Sequence, residues 1–138
     1  MANVFYTAAR EGLLTREINW LGSEQRIALT RGYTPNASHV FLSNFTSAGG
    51  TIVVSKVLVV GAADDGYGRS DTVTFTAVPS GAQITGLLIY QSEDADGTPV
   101  ADSAKRLICA FDQTYVLPVT PDGSDITVEW PLDRIFRI

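Results

Sequence analysis

The sequence predicts a mainly β protein: an antiparallel β-sandwich or barrel-like sheet with a short N-terminal helix and a second short helix. Three observations lead there. Thr72-Val73-Thr74-Phe75-Thr76-Ala77 alternates polar and apolar residues, the period of a strand with one buried and one wet face. Ile84 to Tyr90 is an almost unbroken apolar run of strand length, suited to the middle of a sheet. Turn chemistry separates such segments at short intervals, as at Pro79-Ser80-Gly81 and Pro121-Asp122-Gly123. The 138 residues suit one β-rich domain spanning 1–138. That length buries roughly two thirds of the unfolded surface.

The elements follow in order. Phe5, Ala8, Ala9, Gly12 and Leu13 fall on one stripe of a helix, with Asn3 as its cap and Arg10 and Glu11 opposite. Ile18-Asn19-Trp20 and Arg26 to Thr30 read as short paired strands around Gly22-Ser23. Tyr33 to Asn36 is a turn or loop. Asn36 or Ser38 caps the second helix, which runs through Asn44 with Val40, Phe41 and Phe45 inward, and Ala48-Gly49-Gly50 ends it. Ile52 to Val60 is a β-branched strand interrupted at Ser55-Lys56. Gly61 to Gly68 reads as a flexible polar loop and Ser92 to Thr98 as an acidic one. Leu107 to Phe111 is a buried strand. Ile126, Val128 and Trp130 alternate with polar residues, and Ile135 to Ile138 forms a last strand.

Charge narrows the function. Fifteen Asp and Glu against ten Lys and Arg leave a net charge of −5. Nucleic-acid binding draws on dense Lys and Arg, so the balance argues against that class. The apolar runs fall short of the roughly 20 residues that span a membrane, and the N-terminus lacks the pattern of a secretion signal. Asn36-Ala37-Ser38 and Asn44-Phe45-Thr46 are then chance matches to a glycosylation sequon. The single cysteine, Cys109, sits among Leu107, Ile108, Ala110 and Phe111, the setting of a buried thiol.

Catalytic and cofactor chemistry finds little footing. His39 is the one histidine, and no nucleophile elbow accompanies it. Gly61, Gly66 and Gly68 lack the Lys-Ser/Thr of a phosphate loop. Glu93-Asp94-Ala95-Asp96-Gly97 resembles a fragment of a calcium loop without the distant Glu, and Asp64-Asp65 is weaker. Carboxylate pairs of glycosidase type occur in any acidic chain. Tyr33, Tyr67 and Tyr115 are candidates for stacking on a sugar. The expectation is therefore a non-enzyme with no cofactor and no metal, acting through its surface.

The two ends of the chain carry a resemblance. Ala2-Asn3-Val4-Phe5-Tyr6-Thr7-Ala8, with Glu11, Leu13 and Leu14, is similar to the opening of small virion proteins of tailed bacteriophages. Arg26 to Leu29, Ser38 to Leu42, Val73 to Val78 and Leu88-Ile89-Tyr90 follow in that order. The ending, Leu117-Pro118-Val119-Thr120-Pro121-Asp122-Gly123-Ser124-Asp125-Ile126-Thr127-Val128 and then Ile135 to Ile138, is similar too. The acidic stretch Gln91 to Ser103 is longer than in that group. The resemblance implies a structural protein on the capsid surface of the virion. The preferred role is a head decoration, or cement, protein that contacts the major capsid protein as a homo-oligomer, a trimer foremost. A neck or tail component is the alternative, and a carbohydrate-binding module or small hydrolase is the competing class. Aromatic and arginine side chains dominate protein contacts, so Phe5, Tyr6, Tyr33, Tyr67 and Arg69 are the candidate contact residues.

Overall fold

The structure is a computed structural model that describes residues 4–64, 67–112, 117–130 and 134–137. It is mainly β, with antiparallel sheets and two helices, as the sequence predicts. The largest sheet has five strands. In spatial order they are β1 (Val4–Phe5), β8 (Arg106–Phe111), β7 (Gly86–Gln91), β2 (Gln25–Arg31) and β3 (Thr51–Val57). The other strands form a three-stranded sheet and a two-stranded ribbon. The sheet is β10 (Arg134–Arg137), β5 (Tyr67–Ser70) and β4 (Val60–Asp64), and the ribbon is β6 (Val73–Phe75) with β9 (Ile126–Val128).

Register explains why β2 and β7 lie at the centre. Ile27 opposes Ile89 and Leu29 opposes Leu87 on one face, while Ala28 opposes Leu88 on the other. All six are buried, so both faces of this pair are covered. Each large aliphatic side chain taken out of water contributes roughly 1.5–3 kcal/mol. The buried apolar residues form one cluster that reaches from Tyr6 to Trp130. Two contacts tie the β6–β9 ribbon to the large sheet in a sandwich-like arrangement. Phe111 meets Trp130 with ring centres 5.4 Å apart, and Lys56 Nζ donates to the Thr74 carbonyl at 2.9 Å.

The first helix, α1 (Thr7–Thr15), buries Ala9 and Gly12. Small residues there let the helix approach closely: a Cβ at Gly12 would lie 3.1 Å from Ile18 and from the Arg106 guanidinium. Arg106 clamps the helix by donating to the Ala8 carbonyl at 3.0 Å and pairing with Glu17 at 2.8 Å. The second helix, α2 (Leu42–Ser47), buries Leu42 and Phe45. Asn44 reaches back over its start, its Oδ1 accepting from the Val40 and Phe41 amides. Gly50 lets the chain leave: a Cβ there would come within 2.5 Å of the Phe45 ring.

Several expectations are corrected. The helix-capping residue is Tyr6, not Asn3 (which lies outside the described residues), and Phe5 belongs to a strand rather than to the helical stripe. Ile18 to Trp20 is no strand; β2 finds its partners in β3 and β7, which pair the backbone groups on its two edges. The second helix starts only at Leu42, so His39 precedes it. β3 runs straight through Ser55 and Lys56, and its irregularity falls opposite Leu29 and Thr30. Gly61 to Gly68 is largely the β4–β5 hairpin rather than a loop, since pairing overrides its glycine content. Ala77 does not continue the Val73 and Phe75 face. It turns with φ 48°, its amide donates to Asp125, and Val78 is buried instead. The Leu107 to Phe111 strand, the Pro121 to Gly123 turn and the Ile126-Val128-Trp130 alternation stand as expected. Of the last strand, Ile138 lies outside the described residues.

Candidate functional site

Three regions distant in sequence, around residues 24–26, 55 and 90–105, meet at one polar cleft of about 380 Å³. Glu24 and Arg26 come from the start of β2, Ser55 from β3 and Tyr90 from β7. The walls are completed by Ser92, Glu93, Pro99 and Val100 of the acidic stretch and by Lys105 ahead of β8. Arg26 sits opposite Tyr90 in the sheet register, so both side chains face the cleft.

Its charges are already paired. Arg26 Nη1 lies 2.9 Å from Glu24 Oε1, and Nη2 donates to Ser55 Oγ at 3.1 Å. Ser92 Oγ donates to Glu24 Oε1 at 3.0 Å, and the Glu24 amide donates to Glu93 Oε1 at 2.6 Å. Lys105 pairs with Asp102 at 2.9 Å. The Arg26 hydrogen bond holds the Glu24 carboxyl below its usual range, and Glu24 in turn raises Arg26. The cleft presents hydrogen-bond donors and acceptors from several segments at the surface.

The residues anticipated as contacts are split between two places. Tyr6 is fully buried and belongs to the core, because its ring closes the space between α1 and the sheet. Tyr33 is half-buried, and its hydroxyl lies 2.6 Å from that of Tyr6 and 2.9 Å from His39 Nδ1. Phe5 is half-buried in β1, with the Arg10 guanidinium 4.6 Å from its ring centre. Tyr67 and Arg69 lie in β5, not in a loop, and share one side of that strand while Gly68 and Ser70 are buried on the other. Tyr115 lies outside the described residues. Reading by residue type missed the exposed aliphatics Leu14, Leu21, Val57 and Val59. Their signal was faint: Val57 and Val59 sit in a run that reads as buried strand, and Leu14 lies one step off the helix stripe.

Cys109 is buried, and desolvation pushes its thiol far up. Asp94 Oδ1 accepts from the Asp96 and Thr98 amides, so the acidic loop uses this carboxylate to make its own turn. Among the described residues no three His, Cys, Asp or Glu side chains gather as a metal site. No protein-family model matches the chain, and no curated protein matches it.

Proposed function

We propose that the chain is a structural protein of a tailed-phage particle, a capsid decoration protein that bridges major capsid subunits. The observation that carries this reading is the ordered sequence resemblance, which runs from Ala2 to Ile138 without resting on any catalytic motif. The geometry is compatible with it: the polar cleft is internally neutralised, and four large aliphatic side chains stand in solvent. Shells repeat one contact many times. A protein that grips only the assembled lattice stabilises it by linkage at every copy. A standard contact buries on the order of 1,600 Å² in total, within reach of a closed oligomer of this chain.

The test is a quantitative mass-spectrometric count on purified particles. A decoration protein is present in hundreds of copies per head. A few copies per particle would move the protein to the neck or tail, and its absence from finished particles would overturn the proposal.

A further inference from the structure

The Tyr6, Tyr33 and His39 side chains form a hydrogen-bonded chain from the core to the surface that the proposed function does not use. Tyr6 is fully buried, Tyr33 is half-buried, and His39 lies at the rim of a shallow cavity. Between them the distances are 2.6 Å and 2.9 Å. The His39 ring also stacks on Tyr33, with centroids 5.8 Å apart, and Tyr33 packs edge-on against Phe45 at 4.7 Å.

Counting hydrogens fixes the direction of the chain. A phenol oxygen donates one hydrogen bond and accepts up to two. Tyr6 is fully buried and its hydroxyl meets that of Tyr33, so the buried hydrogen is satisfied when Tyr6 donates to Tyr33, which leaves the Tyr33 hydrogen for His39 Nδ1 at 2.9 Å. In this arrangement Nδ1 is the acceptor and a neutral His39 carries its proton on Nε2. A charged imidazolium has no acceptor. It would leave the hydroxyl hydrogen of the half-buried Tyr33 without this acceptor, which weakens the chain.

Among the described residues, the cavity beside His39 is lined by Gly32, Thr34, Pro35, Asn36, Ala37 and Ala48, none of them charged. The titratable groups along the chain are Tyr33, then Tyr6, and behind Tyr6 the buried Cys109 thiol. Meanwhile the second half of the segment at residues 32–40 is tied to its neighbours by backbone bonds. The Thr7 amide donates to the Ala37 carbonyl, and the Leu107 amide donates to the Val40 carbonyl.

We propose that Tyr6, Tyr33 and His39 form an acid-released latch that holds the 32–40 segment against α1 and the sheet at neutral pH. The sign follows from the geometry: the neutral imidazole completes the chain, so its contribution is present at high pH and is lost as His39 takes up a proton. Local opening of the segment rises on acidification while the β2–β7 centre stays closed.

Nitrogen-15 NMR of the imidazole on the whole protein at pH 8 reads the tautomer directly. The expected signature is a pyridine-type Nδ1 and a pyrrole-type Nε2, and the reverse would overturn the proposal. Amide-exchange protection, corrected for intrinsic rates, should fall about tenfold at Thr7 and His39 between pH 8 and pH 5, but not at Ile89. Equal protection at both pH values would also overturn it. His39→Asn keeps a side-chain acceptor that does not titrate, and should abolish the dependence. If that variant keeps the dependence, the latch is elsewhere. Should it fail to fold, the tautomer and the wild-type exchange profile still decide.

Discussion

Two loops are pinned to the same sheet by different chemistry. Near one end, residues 16–24 are held by a knot of amides. Gln91 Oε1 accepts from the Asn19 amide at 2.9 Å and from Gln25 Nε2 at 3.1 Å, while Gln91 Nε2 donates to the Glu17 and Glu93 carbonyls. Gln25 and Gln91 are both buried and oppose each other in the register. The 32–40 segment is held instead by hydroxyls and an imidazole. The amide knot contains no group that titrates, so its strength is independent of pH. The hydroxyl chain ends on an imidazole, whose acceptor nitrogen is lost when the ring is protonated. Hydrogen bonds of different chemistry can thus make one loop permanent and another conditional.

Removing either pin sharpens the contrast. Gln91→Leu should have the largest effect, about 3 kcal/mol by urea unfolding, because it strips four hydrogen bonds and leaves buried partners unpaired. That loss should be the same at pH 8 and pH 6; a marked pH dependence would break the comparison. Tyr33→Phe should cost about 1–2 kcal/mol at neutral pH, since it unpairs the Tyr6 hydroxyl while preserving the ring packing. The loss should shrink on acidification, as the wild type weakens toward the variant.

Glu24→Gln in the surface cleft should have the smallest effect, a few tenths of a kcal/mol, because exposed ion pairs are screened. Glu24 is lowered from its ordinary 4.5 by Arg26. Its contribution is therefore complete above that value and disappears as pH falls through the lower folded value. Unfolding midpoints of the wild type and variant, compared at pH 7 and pH 3, should converge at the acid end.

Much of the fold was legible because local pattern and tertiary demand agree. Val73 and Phe75 alternate in the sequence and point into the core; so do Ile126 and Val128. Leu87 to Tyr90 and Leu107 to Ala110 are apolar on both faces because both faces of these strands are buried. Legibility failed where distant pairing decides. Gly61 has a loop's composition, yet it opposes Arg69 in a hairpin. Ile18 and Trp20 have a strand's composition but pack as a loop, because Gln25 and Gln91 take up the backbone groups of residues 19–23. The candidate site was almost invisible. A Glu, an Arg and two serines in separate segments carry no shared spacing, and only the sheet register brings them to one cleft. The latch was hidden for the same reason: Tyr6 and Tyr33 are 27 positions apart.

The position of β1 has a consequence for biosynthesis. Val4 and Phe5 pair with Ala110 and Cys109, at the far edge of strands that emerge from the ribosome much later. Closing that contact spans more than a hundred residues, the kind of long loop that slows folding. β2 waits in the same way for β7, which supplies half of its ladder. During synthesis β1 therefore stays undocked until Arg106–Phe111 has been made.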